Sequence, residues 1–164
     1  MTQKVDTLFI NAIVLTMDEK LTQHDPGAVA VKGDSIIAVG AEAELKKEYA
    51  AKEVIDCGGK ILMPGLVNAH THVPMTLIRG LADDLRLDVW LMGYMLPVER
   101  QFVSPEFVRL GTLIACAEQI RSGVTTFNDM YFFEDDIAQA TAGTMSGCPF
   151  HLRMNSRARA KESS

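Results

Sequence analysis

The strongest constraint on this chain is the run Pro64-Gly65-Leu66-Val67-Asn68-Ala69-His70-Thr71-His72. Pro-Gly breaks whatever precedes it, and a short, mostly apolar stretch then passes into polar residues. This predicts a buried strand over Leu66 to His72 that ends at a functional edge. Alternate residues of a strand point to one face, so His70 and His72 are predicted to present two imidazoles to one point in space. Neutral imidazole nitrogen is a favoured ligand of zinc and similar divalent ions. Two ligands alone do not make a catalytic site, which takes three or more from the protein together with water. A pair of satisfied core histidines is the other reading of the same pattern.

The residues before this strand read as a small β unit. Val5 to Met17 is rich in Leu, Ile, Val and Phe, and Ala28 to Lys32 and Ser35 to Val39 flank the turn dipeptide Gly33-Asp34, which predicts a hairpin. Glu42 to Ala51 has helix-forming polar residues, and Glu53 to Cys57 returns to strand character before the break at Gly58-Gly59.

After the histidines two helical patterns follow. Leu87 to Leu96 carries Leu87, Trp90, Leu91, Tyr94 and Met95 at helical spacing. Pro105 to Ser122 is announced by Ser104 as N-cap and Pro105 at the first helical position, and Gly123 stands where a helix ends. Its apolar stripe is read as Phe107, Leu110, Leu113, Ile114, Ala117 and Ile120. Val124 to Phe127 reads as a second buried strand and Glu134 to Ala142 as the start of another helix. Strand, helices, strand, helix in that order argues for an α/β unit with parallel strands.

From Gly143 the apolar periodicity stops. Residues 151–164 hold four basic side chains (Arg153, Arg157, Arg159, Lys161) against one acid (Glu162), while residues 1–150 carry a net charge of -8. A short basic tail without aromatic interleaving or an apolar face does not read as a nucleic-acid or membrane contact, and a disordered end is expected. The acidic balance of the whole chain, net -5, excludes a grip on nucleic acid through bulk charge. No apolar run approaches membrane-spanning length, no secretory signal is read at the N-terminus, and three widely spaced cysteines (Cys57, Cys116, Cys148) suit a reducing cytoplasm without a disulfide framework.

The segment Ile55 to His72 resembles the entry to the barrel in the amidohydrolase superfamily. Met75 to Leu85 (MTLIRGLADDL), Trp90-Leu91, Leu96-Pro97-Val98-Glu99 and Ser122 to Tyr131 (SGVTTFNDMY) are similar to the branch that holds 5-methylthioadenosine/S-adenosylhomocysteine deaminases and triazine chlorohydrolases. The resemblance runs from about Val5 to Gln139. It implies an incomplete TIM-type (β/α)8 barrel, its first two strands and their helices, preceded by part of a small β-sandwich. The expected segments are a sandwich portion over 1–62, the start of the barrel over 63–142 and an aberrant tail over 143–164. A barrel of this kind takes about 250 residues, so the chain is expected to be a truncated or frameshifted piece, out of frame from about Ala140.

The resemblance also assigns roles. His70 and His72 match the pair that ligates one divalent metal, zinc first and iron second. Glu99 matches the carboxylate that contacts the ribose hydroxyls of the nucleoside, and a carboxylate can accept two charge-assisted hydrogen bonds from a vicinal diol. A solvated acid at a helix end is the plain alternative for Glu99. The implied reaction is hydrolytic deamination: water activated by the metal attacks the ring carbon that bears the exocyclic amine. The remaining ligands and the acid/base residue have no counterpart here, so no catalytic residue is assigned within the chain. The implied partner is a purine nucleoside, with an oligomer open for the full-length relative. A chlorohydrolase, an aminohydrolase of triazine, guanine or cytosine, and a non-catalytic fragment remain the alternatives. Trp90 is open between pocket wall and core. Asn128 and Asp129, at the second strand's end, read as loop caps before functional groups. Asp83-Asp84 is given no chemistry, and His24 and His151 are poor ligand candidates.

Overall fold

The computed structural model describes residues 2–144 and 153–156, and the chain divides into two compact units, Met1–Pro64 and Gly65–Ser164.

The first unit is one mixed sheet with a short helix. Strand β1 (Gln3–Leu15) lies at its centre. It pairs antiparallel with β2 (Gln23–Lys32), which turns into antiparallel β3 (Ser35–Ala41). Helix α1 (Glu42–Glu48) then leads to β4 (Tyr49–Asp56), parallel to β1, and the two-residue β5 (Ile61–Leu62) extends the same side. The Gly33-Asp34 hairpin forms where its residues predict it. Gly33 takes φ +60°, open to glycine without strain, and its N–H donates to Asp6 at 2.8 Å. The period of two sorts β2 between faces: Ala28 and Ala30 pack with Val5, Leu8 and Leu45 of α1, while Val29 packs with Ala12 and Val14. Among the described residues this unit forms a single sheet, so the second layer that a sandwich requires is not made by them.

The second unit is built on parallel strands. Strand β6 (Leu66–Thr71) pairs with β7 (Val124–Asp129), with Leu66 opposite Val124 and Thr71 opposite Asp129. Gly65 is required at the entry to β6, because a Cβ there would meet the Thr125 side chain at 2.2 Å. A third strand, β8 (Arg153–Ser156), pairs parallel with β7. Two strands were expected, with nothing ordered after Gly143. These four residues correct that expectation: a strand this short leaves little periodicity to read, and its pairing comes from the ladder β7 offers. Cys148, His151, Arg157, Arg159, Lys161 and Glu162 lie outside the described residues.

Between β6 and β7 the chain makes a 3₁₀ segment (Val73–Ile78), then a helical run and a long helix. The run is composed of α2 (Leu87–Val89), a π-type stretch (Trp90–Met95) and α3 (Leu96–Phe102). Of the stripe read there only Met95 is buried; Leu87 is 73% exposed, Leu91 and Tyr94 are exposed, and Trp90 is half-buried.

Helix α4 (Pro105–Arg121) starts as its sequence predicts, with the Ser104 hydroxyl accepting from the Phe107 N–H at 3.2 Å, and Gly123 follows it at φ +76°. The face it buries is different from the one expected. Val108, Gly111, Thr112, Ala115 and Cys116 face inward, whereas Leu110, Leu113 and Ile114 are 52%, 37% and 37% exposed. The reason is distance: a Cβ on Gly111 would meet the Pro74 carbonyl oxygen at 2.6 Å, so the small residues set how closely the helix approaches the 3₁₀ segment. Arg79, which follows that segment, also holds Glu118 through two hydrogen bonds of 3.1 and 2.6 Å. Phe127 of β7 and Ile137 of α5 (Glu134–Thr144) complete the core with Val73, Val108 and Tyr131. Among the described residues no helix is long and apolar enough to cross a membrane.

Candidate metal centre

The end of β6 brings the two histidines together. His70 Nε2 and His72 Nε2 are 3.3 Å apart, with the rings edge-on at 79° and their centroids 5.0 Å apart. Two imidazole nitrogens bound at 2.0–2.1 Å to one tetrahedral ion would stand about 3.3 Å apart. The pair therefore fits a shared divalent cation.

The orientation of His72 strengthens that fit. Its Nδ1 lies 2.5 Å from the Met130 carbonyl oxygen, just after β7. A carbonyl only accepts, so Nδ1 carries the proton and the lone pair is left on Nε2, the nitrogen that faces His70. Outer contacts of this kind commonly fix the tautomer of a ligating histidine. Neither imidazole is fully buried; His70 is exposed and His72 half-buried. Among the described residues no third His, Cys, Asp or Glu joins them in a cation-holding group.

Asp129, the last residue of β7 and opposite Thr71 in register, is fully buried. Its Oδ1 accepts from the Thr71 hydroxyl at 2.5 Å and from the Val73 N–H at 2.8 Å, and its Oδ2 is buried with no partner among the described residues. Burial pushes its carboxyl above the usual range, against the opposing pull of Thr71, Val73 and both imidazoles. The expectation that Asp129 caps a loop is therefore too modest. Asn128 is closer to that plain role, its amide donating to the Ala69 carbonyl at 3.3 Å. The signal available in the sequence was an acid at the end of a short apolar strand, where no solvent is owed to it.

Tyr131 and Glu134 were not singled out. Tyr131 is only 4% exposed and its ring lies 6.2 Å from that of His72. Its hydroxyl is buried without a hydrogen bond of good geometry among the described residues; burial first, then the nearby Glu99 carboxylate, push its ionisation far up. Glu134 accepts the Tyr131 N–H at 2.5 Å, its Oε2 is buried and unpartnered among the described residues, and burial raises its carboxyl, with Asp129 adding to the effect. Glu99, half-buried on α3, thus acts on Tyr131, whose ring in turn lies near that of His72. Trp90 is elsewhere: it lines a cleft of ≈ 340 Å³ with Met75, Arg79, Asp83 and Met95, to which neither histidine nor Glu99 contributes.

Comparison with known proteins shows the family. The sequence profile of the amidohydrolase family matches residues 61–162. A 5-methylthioadenosine/S-adenosylhomocysteine deaminase from Syntrophus aciditrophicus is 47% identical over 138 residues, 84% of this chain and 31% of that relative. A crystal structure of an adenosine deaminase from Xanthomonas campestris with bound zinc superposes with a TM-score of 0.81 at 41% identity, over 87% of this chain and 33% of that one. An atrazine chlorohydrolase from Arthrobacter aurescens in complex with zinc gives a TM-score of 0.75 at 20% identity, over 93% and 35% of the two chains, a likeness that speaks for the fold alone. The chain thus spans about a third of the length of the relatives it matches.

Proposed function

The chain belongs to the amidohydrolase family, and on that premise we propose that it forms the first part of a metal-dependent hydrolase of C–N bonds, one that deaminates the adenine ring of 5-methylthioadenosine or S-adenosylhomocysteine. The three parallel strands are the opening of a (β/α)8 barrel in this reading, and the site lies at their C-terminal ends, where such barrels place their chemistry. The observation that carries the proposal is the convergence of His70 Nε2 and His72 Nε2 with the His72 tautomer set by the Met130 carbonyl.

His70 and His72 would hold one divalent cation, zinc in the first instance. A cation there supplies Lewis acidity and lowers the pKa of water toward about 7. Glu99 binds: its carboxylate accepts from the two ribose hydroxyls and orients the nucleoside. Tyr131, buried with its ring 6.2 Å from that of His72, would wall the site on that side. The likeness to nucleoside deaminases at 41–47% identity supports an adenosine-type substrate over a triazine.

A chimera tests this. Residues 1–139 of this chain replace the matching residues of the Syntrophus aciditrophicus relative, and ammonia release from methylthioadenosine is followed. The expected chimera turns over. His70→Ala or His72→Ala lowers its rate by a hundredfold or more, and Glu99→Ala raises KM at least tenfold. The 164-residue chain alone, with two ligands, is expected to release no ammonia above a metal-only blank. Turnover that survives both histidine substitutions would refute the proposal.

A further inference from the structure

We propose that Asp129 is a positioning residue for His72, which it aims through Thr71 and Val73; the inference rests on the reading of His70 and His72 as metal ligands. Three successive residues at the end of β7 grip three successive residues at the end of β6. Thr71 places its hydroxyl 2.5 Å from Asp129 Oδ1 and 3.0 Å from the Asn128 carbonyl, and its own carbonyl accepts the Met130 N–H at 3.2 Å. Val73 donates its N–H to the same Asp129 oxygen at 2.8 Å. His72 lies between these two anchors, and its Nδ1–H meets the Met130 carbonyl.

One buried carboxylate oxygen thus fixes the chain on both sides of the imidazole. With Thr71 and Val73 held, the His72 Cα stays where its imidazole reaches the Met130 carbonyl. The Nδ1–H tautomer is locked in, and Nε2 faces His70 with its lone pair free. The second oxygen, Oδ2, is buried and unpartnered among the described residues. A charge kept out of water is costly unless something nearby favours it. A cation between the two imidazoles would supply that favour, so Asp129 contributes charge as well as aim.

The two contributions separate in an NMR experiment on the 164-residue chain with ¹⁵N-labelled histidine. The readouts are the His72 tautomer without metal and the dissociation constant for zinc. In the unmodified chain His72 is expected in the Nδ1–H form. Asp129→Ala is expected to turn it into a mixture of tautomers and to weaken zinc binding about 10- to 100-fold. Asp129→Asn keeps an acceptor at Oδ1 and loses the charge, so it is expected to restore the tautomer while leaving zinc binding weakened. Thr71→Val removes one anchor without changing shape and is expected to shift the tautomer partway. Should Asp129→Ala fail to fold, Thr71→Val decides alone. An unchanged tautomer in every folded variant overturns the inference. If zinc binding does not depend on His70 and His72 at all, the metal reading fails, whereas the tautomer still reports on Asp129.

Discussion

In the N-terminal sheet, acidic side chains lie on the surface and are tied to donors. Asp6 takes Lys52 at 2.6 Å and the Gly33 N–H at 2.8 Å, and Asp56 takes the Gly58 N–H and the Asn11 amide, both at 2.8 Å. Each sits below the usual carboxylate range because those donors stabilise the charge. At Asp129 and Glu134 of the second unit the order of causes is reversed. Asp129 and Glu134 also accept hydrogen bonds, yet burial outweighs them and both carboxyls are raised. The same side-chain chemistry therefore serves two ends. In the sheet, carboxylates staple turns and strands; near the histidines they are withheld from water, the condition in which a charge acts most strongly on its neighbours.

Substitutions in the two regions are expected to differ in size and in sign. The largest effect is expected for Asp129→Leu, which strands the buried Val73 N–H at a cost of about 1–3 kcal/mol and leaves the Thr71 hydroxyl only the Asn128 carbonyl. Urea unfolding followed by Trp90 fluorescence reads this in the second unit, since the chain has one Trp. Next comes Gly111→Val, which drives a side chain into the Pro74 carbonyl and is expected to cost about 1–3 kcal/mol by overpacking. A smaller effect is expected in pH dependence. Glu134 holds its proton in the folded state at a pH where the unfolded chain has released it. Stability of the second unit should therefore fall as pH rises from about 4 through the raised folded value, and the slope should flatten in Glu134→Gln. Asp6 and Asp56 act with the opposite sign: the stability they contribute is present above about 4 and is lost as pH falls through their lowered values. Smallest of all, Leu110→Ser on the exposed face of α4 should stay within about 0.5 kcal/mol. A large loss there would show that the helix buries the stripe its sequence suggests.

Much of the fold was legible because it rests on local rules. The Gly33-Asp34 hairpin, the Ser104 cap and the Gly123 stop depend on a few residues each, and all three form. The face of α4 was not legible. Periodicity finds the largest apolar residues, whereas the buried face was chosen by how closely the helix approaches Pro74, which only Gly111 permits. Strand β8 was missed for a related reason, since four residues give no pattern of their own and gain their order from β7. At the site, the His70–His72 pair could be read because a strand's period of two is fixed. The Met130 carbonyl, Asp129 and Tyr131 could not, because their places follow from the register that sets Thr71 opposite Asp129. The resemblance suggested Glu99 for the site; its effect on Tyr131 came only with the folded chain.

As proposed, His70 and His72 supply part of a metal centre. Cobalt(II) titration of the 164-residue chain, followed by visible absorption, tests it most directly. The expected result is weak binding of one ion per chain that is abolished by His70→Ala and by His72→Ala and untouched by His24→Ala. Binding that persists unchanged in either site variant would contradict the account.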